Sequence, residues 1–128
     1  MPSKCAVGNI LYSWNYAYNS DLLKSTPSTL KDFFNTKRFP GKRAIYKSAL
    51  TNLEIALAAD GVKMGKGGEF IYKKLEDPAY VTRAMNKIKA LCEDPNGGCV
   101  FWSAGAQPPE LLMSGEVVMA TGWNGRFF

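Results

Sequence analysis

The arrangement of apolar segments along the chain constrains its fold more than any other feature. Short runs rich in strand-forming residues cover residues 6–12, Arg43–Tyr46, 98–102 and 116–121. Between them, apolar residues recur every three or four positions, as on one face of a helix. Continuously apolar strands separated by one-sided helices are typical of a parallel sheet with covered faces. The sequence therefore predicts an α/β domain with a mostly parallel sheet flanked by helices.

Local signals place the individual elements. After the first apolar run, aromatic residues continue at every second position from Tyr12 to Tyr18, which extends the predicted strand. Thr29 and Asp32 form a capping-box pair at the start of one helix, and Ser48 is predicted to cap another. Amphipathic spacing predicts a longer helix over residues 80–92, and a short helix precedes the last strand. The predicted order is β-α-β-α-α-β-α-β.

Residues 61–70, GVKMGKGGEF, contain glycine and lysine in the manner of a phosphate-binding loop. The spacing does not fit, because the stretch from Gly61 to Lys66 is one residue too short and no serine or threonine follows the lysine. A helix also precedes this segment, where the phosphate-binding loop requires a strand. We expect a flexible connection here.

Composition excludes several classes of function. A chain of 128 residues with 46% hydrophobic residues is long enough to form one domain with its own core. The sequence contains no histidine, so the commonest general base and the usual zinc ligand are both missing. We predict a protein that is not an enzyme and has no cofactor and no metal site. The net charge of +5 comes without a nucleic-acid-binding motif, so no nucleic-acid partner is expected.

The cysteines and the terminal segments bear on location. Cys92 and Cys99 flank a turn and can pair in an oxidising compartment, but Cys92 also fits the apolar face of its helix, and inert thiols are the favoured reading. The sequence shows no signal-peptide pattern and no apolar run of membrane-spanning length. We expect a cytoplasmic protein if the chain is natural as given, and a periplasmic one if it belongs to a longer exported protein.

Polar and aromatic side chains follow each predicted strand. Because parallel strands end at one edge of a sheet, we expect these residues to share a crevice that suits a small polar solute. Indoles supply flat apolar walls, and a helix start offers amides to an anion. The candidate ligand-binding residues, in strand order, are Ser13, Trp14 and Tyr16; Lys47, Ser48 and Thr51; Trp102, Ser103 and Gln107; and Trp123, Asn124 and Arg126.

Several segments resemble one family. The stretches CAVGNILYSWNYAYN, KRFPGKRAI, LEIALAADGV and VFWSAGAQPPELLMSGEVVMATGWNGR are similar to the extracellular solute-binding proteins of ABC importers, specifically their spermidine/putrescine-binding group. The resemblance implies a type II periplasmic-binding-protein fold of two α/β lobes that close over a ligand. Residues 1–128 look like the second lobe alone, with hinge strands near residues 6–18 and 117–126. The resemblance also implies an ABC permease as partner of a full-length protein.

The resemblance further implies that Trp123 stacks on the methylene groups of a ligand. This sequence departs from the polyamine binders where they place acidic residues. It has Lys47, Ser48 and Thr51 at the start of the second helix and Arg126 after the last strand. Cations and hydroxyls favour a carboxylate or another anion over a diamine.

Two functions therefore stay open. The first is a lobe that binds a polyamine-like or carboxylate-bearing solute in a cleft shared with a missing partner lobe, and it predicts weak or no binding by the isolated chain. The second is a free-standing interaction domain without a transport role, in which exposed hinge strands pair with a second copy, as in a domain-swapped homodimer.

Overall fold

The computed structural model describes residue 5 and residues 10–128, and in this part of the chain four strands and five α-helices follow one another. Short 3-10 turns cover Lys66–Gly68 and Asn124–Arg126. The elements, in chain order, are β1 (Trp14–Tyr18), α1 (Leu30–Phe34), β2 (Arg43–Tyr46), α2 (Asn52–Ala59), α3 (Glu69–Leu75), α4 (Pro78–Glu93), β3 (Cys99–Trp102), α5 (Gln107–Met113) and β4 (Met119–Trp123).

The strands form one sheet in the order β1-β4-β2-β3. Strand β2 runs parallel to both β3 and β4, whereas β1 pairs antiparallel with β4. The predicted mostly parallel α/β architecture is confirmed. Strand β2 has the predicted bounds, but β4 begins three residues later than predicted, at Met119. The amides of Val117 and Val118 donate to the carbonyls of Leu111 and Lys42, outside the regular ladder.

The first strand differs most from the prediction. Residues 6–9 lie outside the described part of the chain, residues 10–12 are exposed and not in a strand, and β1 begins only at Trp14. Its antiparallel direction places Trp14 opposite Trp123, the last residue of β4. The expectation that Ser13, Trp14 and Tyr16 follow the end of a strand is therefore wrong. Ser13 directly precedes β1, and Trp14 and Tyr16 belong to it.

Local signals explain most of the helix starts. The predicted capping box of α1 is present, with the Thr29 hydroxyl accepting from the Asp32 amide and the Asp32 carboxylate accepting from the Thr29 amide. Helix α2 begins at Asn52, later than predicted, because Ser48 accepts from the Leu50 amide in a local turn. Helix α3 occupies part of the segment expected to be a flexible connection, and its Ile71 is fully buried.

The sheet is covered on both faces. Ile45 and Met119 belong to one core cluster, and their neighbours Ala44 and Ala120 belong to another. Successive residues of a strand point to opposite faces, so the two central strands are buried on both sides. Helices α1 and α4 contribute Phe33 and Leu91 to the first cluster, and α5 contributes Leu112 to the second. A third cluster joins α2, α3 and α4.

A disulfide links Cys92 at the end of α4 to Cys99 at the start of β3, with a Cα–Cα distance of 4.7 Å. The expectation of inert thiols at these two positions is therefore wrong. The turn between them folds tightly, because the Gly97 amide donates to the Asp94 carbonyl and the Gly98 amide to the Leu91 carbonyl. That turn brings the two sulfur atoms together.

Candidate functional site

Four aromatic rings meet at one edge of the sheet. Tyr46, Trp102 and Trp123 are the last residues of β2, β3 and β4, and Trp14 is the first residue of β1. Their ring centroids lie between 4.7 and 6.5 Å apart, and all six pairs are in contact. We call this group the aromatic cluster, and the edge that carries it the rim. The structure thus brings the three tryptophans of the prediction together.

The members of the aromatic cluster differ in exposure. Trp102 is fully buried, and its indole N–H has no hydrogen-bond partner in the described part of the chain. Trp14 and Trp123 remain partly exposed. Trp102 is therefore the buried member of the aromatic cluster, whereas Trp14 and Trp123 have accessible surface that could contact a ligand.

The loop after β3 packs against the Trp123 ring. The Gln107 side-chain oxygen accepts from the amides of Ser103 and Ala104, each at 2.8 Å, so this oxygen is committed to the loop. A Cβ atom on Gly105 would lie 2.5 Å from the Trp123 ring and 3.3 Å from the Arg126 Nε atom. Only glycine permits this close approach of backbone to indole.

Asn124 joins the residue before β1 to the segment after β4 at the rim. Its side-chain oxygen accepts from the Ser13 amide at 3.1 Å, and its own amide donates to the Ser13 carbonyl at 3.0 Å. These bonds extend the pairing of β1 with β4 by one step beyond Trp14 and Trp123. The geometry gives Asn124 a positioning role in addition to its place beside a cleft.

Two clefts open at the rim and share Tyr12. The inner cleft, of about 490 Å³, lies between β1, the first turn of α2 and the start of α3. It contains four of the predicted site residues: Ser13, Trp14, Tyr16 and Thr51. The other residues of its wall are Tyr12, Asn15, Leu30, Glu54, Ile55, Met64, Gly68, Tyr72 and Thr121.

Tyr16 is held in place on the wall of the inner cleft. Its hydroxyl donates to the Thr29 carbonyl at 3.1 Å, and its ring packs 5.8 Å from that of Phe33. Burial raises the pKa of the Tyr16 phenol above its usual value, and the nearby Asp32 carboxylate acts in the same direction. The phenol is therefore a neutral, hydrogen-bonded group on the wall of the inner cleft.

Glu54 is a residue of the inner cleft that the strand-end argument missed. It lies in α2, three residues after Thr51, and its Oε2 atom is buried without a hydrogen-bond partner in the described part of the chain. The argument searched only the residues directly after strands. The available signal was a carboxylate inside the otherwise apolar run LEIALAA, where a charge is costly unless it has a use.

The outer cleft, of about 560 Å³, contains Trp123, Asn124 and Arg126 from the chain after β4. Ile10, Leu11, Tyr12 and Gly125 complete its wall. Arg126 is exposed, and within the described residues it forms no ion pair. A guanidinium beside an indole is well suited to bind a carboxylate above an apolar platform.

The remaining predicted residues are near the rim but line neither cleft. Lys47 and Ser48 are exposed in the loop after β2, and the Lys47 amide donates to the Trp102 carbonyl at 2.8 Å. Ser103 is exposed in the loop after β3. No group of three or more metal-ligating side chains is present in the part of the chain that the structure describes.

Comparison with known proteins decides the family. The sequence profile of the bacterial extracellular solute-binding proteins matches residues 7–128. The chain belongs to this family. The relatives are binding proteins rather than enzymes, which confirms the expectation that this chain is not an enzyme. No helix in the described residues is both long and apolar enough to cross a membrane.

Individual relatives bind small solutes. The chain is 44% identical over 124 residues to a gamma-aminobutyric acid-binding protein of Pseudomonas aeruginosa. This match covers 97% of the chain, which spans about one third (33%) of the relative's length. A solved GABA receptor is 34% identical with a TM-score of 0.73, over 90% of this chain and 32% of that one. The binding protein MotA of A. tumefaciens B6, in complex with glucopine, is 32% identical with a TM-score of 0.77, over 91% and 34%.

A spermidine/putrescine-binding protein of Streptococcus pneumoniae shares the architecture more distantly. It is 14% identical with a TM-score of 0.64, and 90% of this chain aligns with 31% of that one. This likeness shows the fold alone. The predicted periplasmic-binding-protein fold is thus confirmed at the level of one lobe.

Proposed function

We propose that this chain is the second lobe of an ABC-importer solute-binding protein, and that it binds a small amino acid bearing a carboxylate in a cleft shared with another lobe. The observation that carries the proposal is the grouping of Trp14, Trp123 and Arg126 at one rim beside open clefts. Aromatic faces can hold the methylene groups of a solute while the guanidinium pairs with its carboxylate.

The charges at the rim support a carboxylate-bearing solute over a diamine. Arg126 repels an ammonium group, and Lys47 places a second cation in a neighbouring loop. The 44% identity to a binding protein for gamma-aminobutyric acid points the same way. We still place the chain in the wider spermidine/putrescine-binding group, but we propose a different ligand for it.

The proposal assigns residues 1–128 to one lobe, with hinge segments near residues 6–18 and 117–126. The reciprocal bonds between Ser13 and Asn124 support this assignment, because they tie the entering and leaving segments together.

A full-length protein built on this lobe docks on an ABC permease. We place it outside the cytoplasm, in the periplasm, and the Cys92–Cys99 disulfide supports an oxidising compartment.

Titration by nuclear magnetic resonance tests the proposal on the 128-residue chain. The probes are 4-aminobutanoate, butanoate and putrescine. We expect 4-aminobutanoate to bind with a dissociation constant in about the millimolar range, because one lobe supplies only part of the contacts. Putrescine should bind more weakly. Arg126→Gln should weaken butanoate binding about tenfold, because it removes a charge-assisted hydrogen bond.

Lys63→Gln is the matched control, since Lys63 is an exposed cation that lines neither cleft. It should leave all three affinities unchanged. Tighter binding of putrescine than of 4-aminobutanoate, or equal effects of the two substitutions, would contradict the proposed solute class. Sub-micromolar binding by the monomeric chain would contradict the half-site.

A second candidate is the interaction domain that pairs with another copy of itself. Ile10 and Leu11 are 75% and 100% exposed beside the edge strand β1, and such an apolar, unpaired edge favours association. Light scattering over a concentration series distinguishes the two candidates. A strict monomer at high concentration would count against association through this edge.

A further inference from the structure

We infer that Glu54 and Thr51, which both line the inner cleft, form a binding site there for a ligand's ammonium group. The inference rests on the proposed function and assigns residues to the ammonium end of the proposed amino-acid solute. It makes α2 a determinant of specificity for solutes that carry a primary amine.

The burial of Glu54 is the first observation. The side chain belongs to the wall of the inner cleft, the residue is only 7% exposed, and its Oε2 atom has no hydrogen-bond partner in the described residues. A buried carboxylate without a partner is costly, and proteins retain one where a ligand or a proton completes it. The Glu54 Oε2 atom can accept a hydrogen bond from a ligand, and an ammonium group offers three N–H donors.

The start of α2 provides a second, independent observation. The sequence Thr51-Asn-Leu-Glu54 has the spacing of a capping box, in which the threonine and glutamate side chains would bond to each other's backbone amides. The structure forms neither bond. Thr51 has a φ of 74°, a left-handed conformation that is unfavourable for a β-branched residue, and its side chain caps nothing. Both polar groups stay available, and backbone strain of this kind concentrates at ligand sites.

The surroundings of Glu54 fit an ammonium group. Glu54 is the only formally charged side chain on the wall of the inner cleft among the residues described there. The aromatic residues of the same wall are Tyr12, Trp14, Tyr16 and Tyr72. Ring faces attract cations, and indole does so most strongly. One carboxylate with aromatic walls suits a monovalent organic cation rather than a metal ion, which takes several oxygen ligands.

Magnetic resonance titration with two single-charge probes tests the inference. The probes are n-butylammonium and butanoate, and the variants are Glu54→Gln and Arg126→Gln in the 128-residue chain. We expect Glu54→Gln to weaken n-butylammonium binding about tenfold or more, because a charge-assisted hydrogen bond is lost. Butanoate binding should stay unchanged. Arg126→Gln should have the opposite pattern.

Glu116→Gln is the matched control, because Glu116 is an exposed carboxylate outside both clefts. Equal n-butylammonium affinities of the unaltered chain and the Glu54→Gln variant would overturn the inference. If Arg126→Gln still impairs butanoate binding in that case, the proposed function stands without it. If Arg126→Gln also leaves butanoate binding unchanged, the proposed function is contradicted as well.

A measurement on the unaltered chain covers the case in which Glu54→Gln does not fold. The carboxyl carbon of Glu54 should shift when n-butylammonium is added and not when butanoate is added. An unmoved Glu54 signal, while other signals of the inner cleft respond to n-butylammonium, would overturn the inference.

Discussion

The two ends of the sheet treat their polar groups differently. At the amino ends of β2 and β3, which we call the base, Arg43 is fully buried, and its guanidinium donates to the carbonyls of Phe33 and Gly41. Burial lowers the pKa of Arg43 to about 10, so it stays charged at neutral pH. Its Nη2 atom has no hydrogen-bond partner among the described residues, so the Arg43 guanidinium is satisfied at two of its three nitrogens. At the rim, the Glu54 Oε2 atom and the Trp102 indole N–H are buried without any hydrogen-bond partner in the same part of the chain.

Further bonds tie the base together. The Thr36 hydroxyl donates to the Asp94 carboxylate at 2.6 Å, which holds the pKa of that carboxyl below its usual range. The Cys92–Cys99 disulfide lies beside this pair in the chain. The rim instead has open clefts, the exposed Arg126 and Thr51, whose backbone has a positive φ. The difference supports the proposal that a solute binds at the rim rather than at the base.

The largest expected effect is the loss of stability when a core side chain at the base is truncated. Phe33 is 1% exposed in the core cluster at the base, so Phe33→Ala should lower the free energy of unfolding by about 3–5 kcal/mol. Urea denaturation measures this loss. Phe101→Ala is the control, because Phe101 is 54% exposed on β3, and it should cost less than about 0.5 kcal/mol. Equal losses would break the comparison.

Removal of the disulfide should have an intermediate effect confined to the base. The double variant Cys92→Ser, Cys99→Ser loses a short covalent loop, with an expected cost of about 2–3 kcal/mol. Dithiothreitol should destabilise the unaltered chain by a similar amount and leave the double variant unchanged. The affinity for 4-aminobutanoate should be retained. A lower affinity at unchanged fold would show that the base and the rim are coupled.

The smallest expected effect is a gain, rather than a loss, in the free energy of unfolding. Thr51→Gly removes the strain of a β-branched residue at a φ of 74°, so the free energy of unfolding should rise by up to about 1 kcal/mol. Binding of n-butylammonium should weaken, because the hydroxyl is lost. Thr51→Ser keeps the hydroxyl and should keep the binding. A loss of stability in Thr51→Gly would mean that Thr51 is not strained by its conformation.

The sequence predicted most of the elements, and the misses have local causes. The capping box of α1 and the bounds of β2 are as expected, because each depends on adjacent residues. Helix α3 was missed because it is short and glycines directly precede it, and Ile71 is buried against α2 and α4 only in the folded chain. The disulfide was missed because spacing alone does not fix how a turn folds.

For the candidate site, the sequence identified residue types better than roles. The three tryptophans do meet at the rim, but Trp102 is buried, and the Gln107 oxygen holds its own loop. The assignment of ligand contacts to the predicted residues stays a prediction. Glu54 could not be found from strand ends, since it reaches the inner cleft from inside a helix.

By itself, the sequence determined the layered α/β class, the capping box of α1 and the positions of Trp102 and Trp123 at the ends of their strands. These features follow from periodicity and short-range bonding. Only the tertiary structure decided the antiparallel direction of β1, which sets Trp14 opposite Trp123. It alone also placed Glu54 in a cleft, where its Oε2 atom has no hydrogen-bond partner among the described residues. Both depend on contacts between residues far apart in the chain, and no local pattern encodes such contacts.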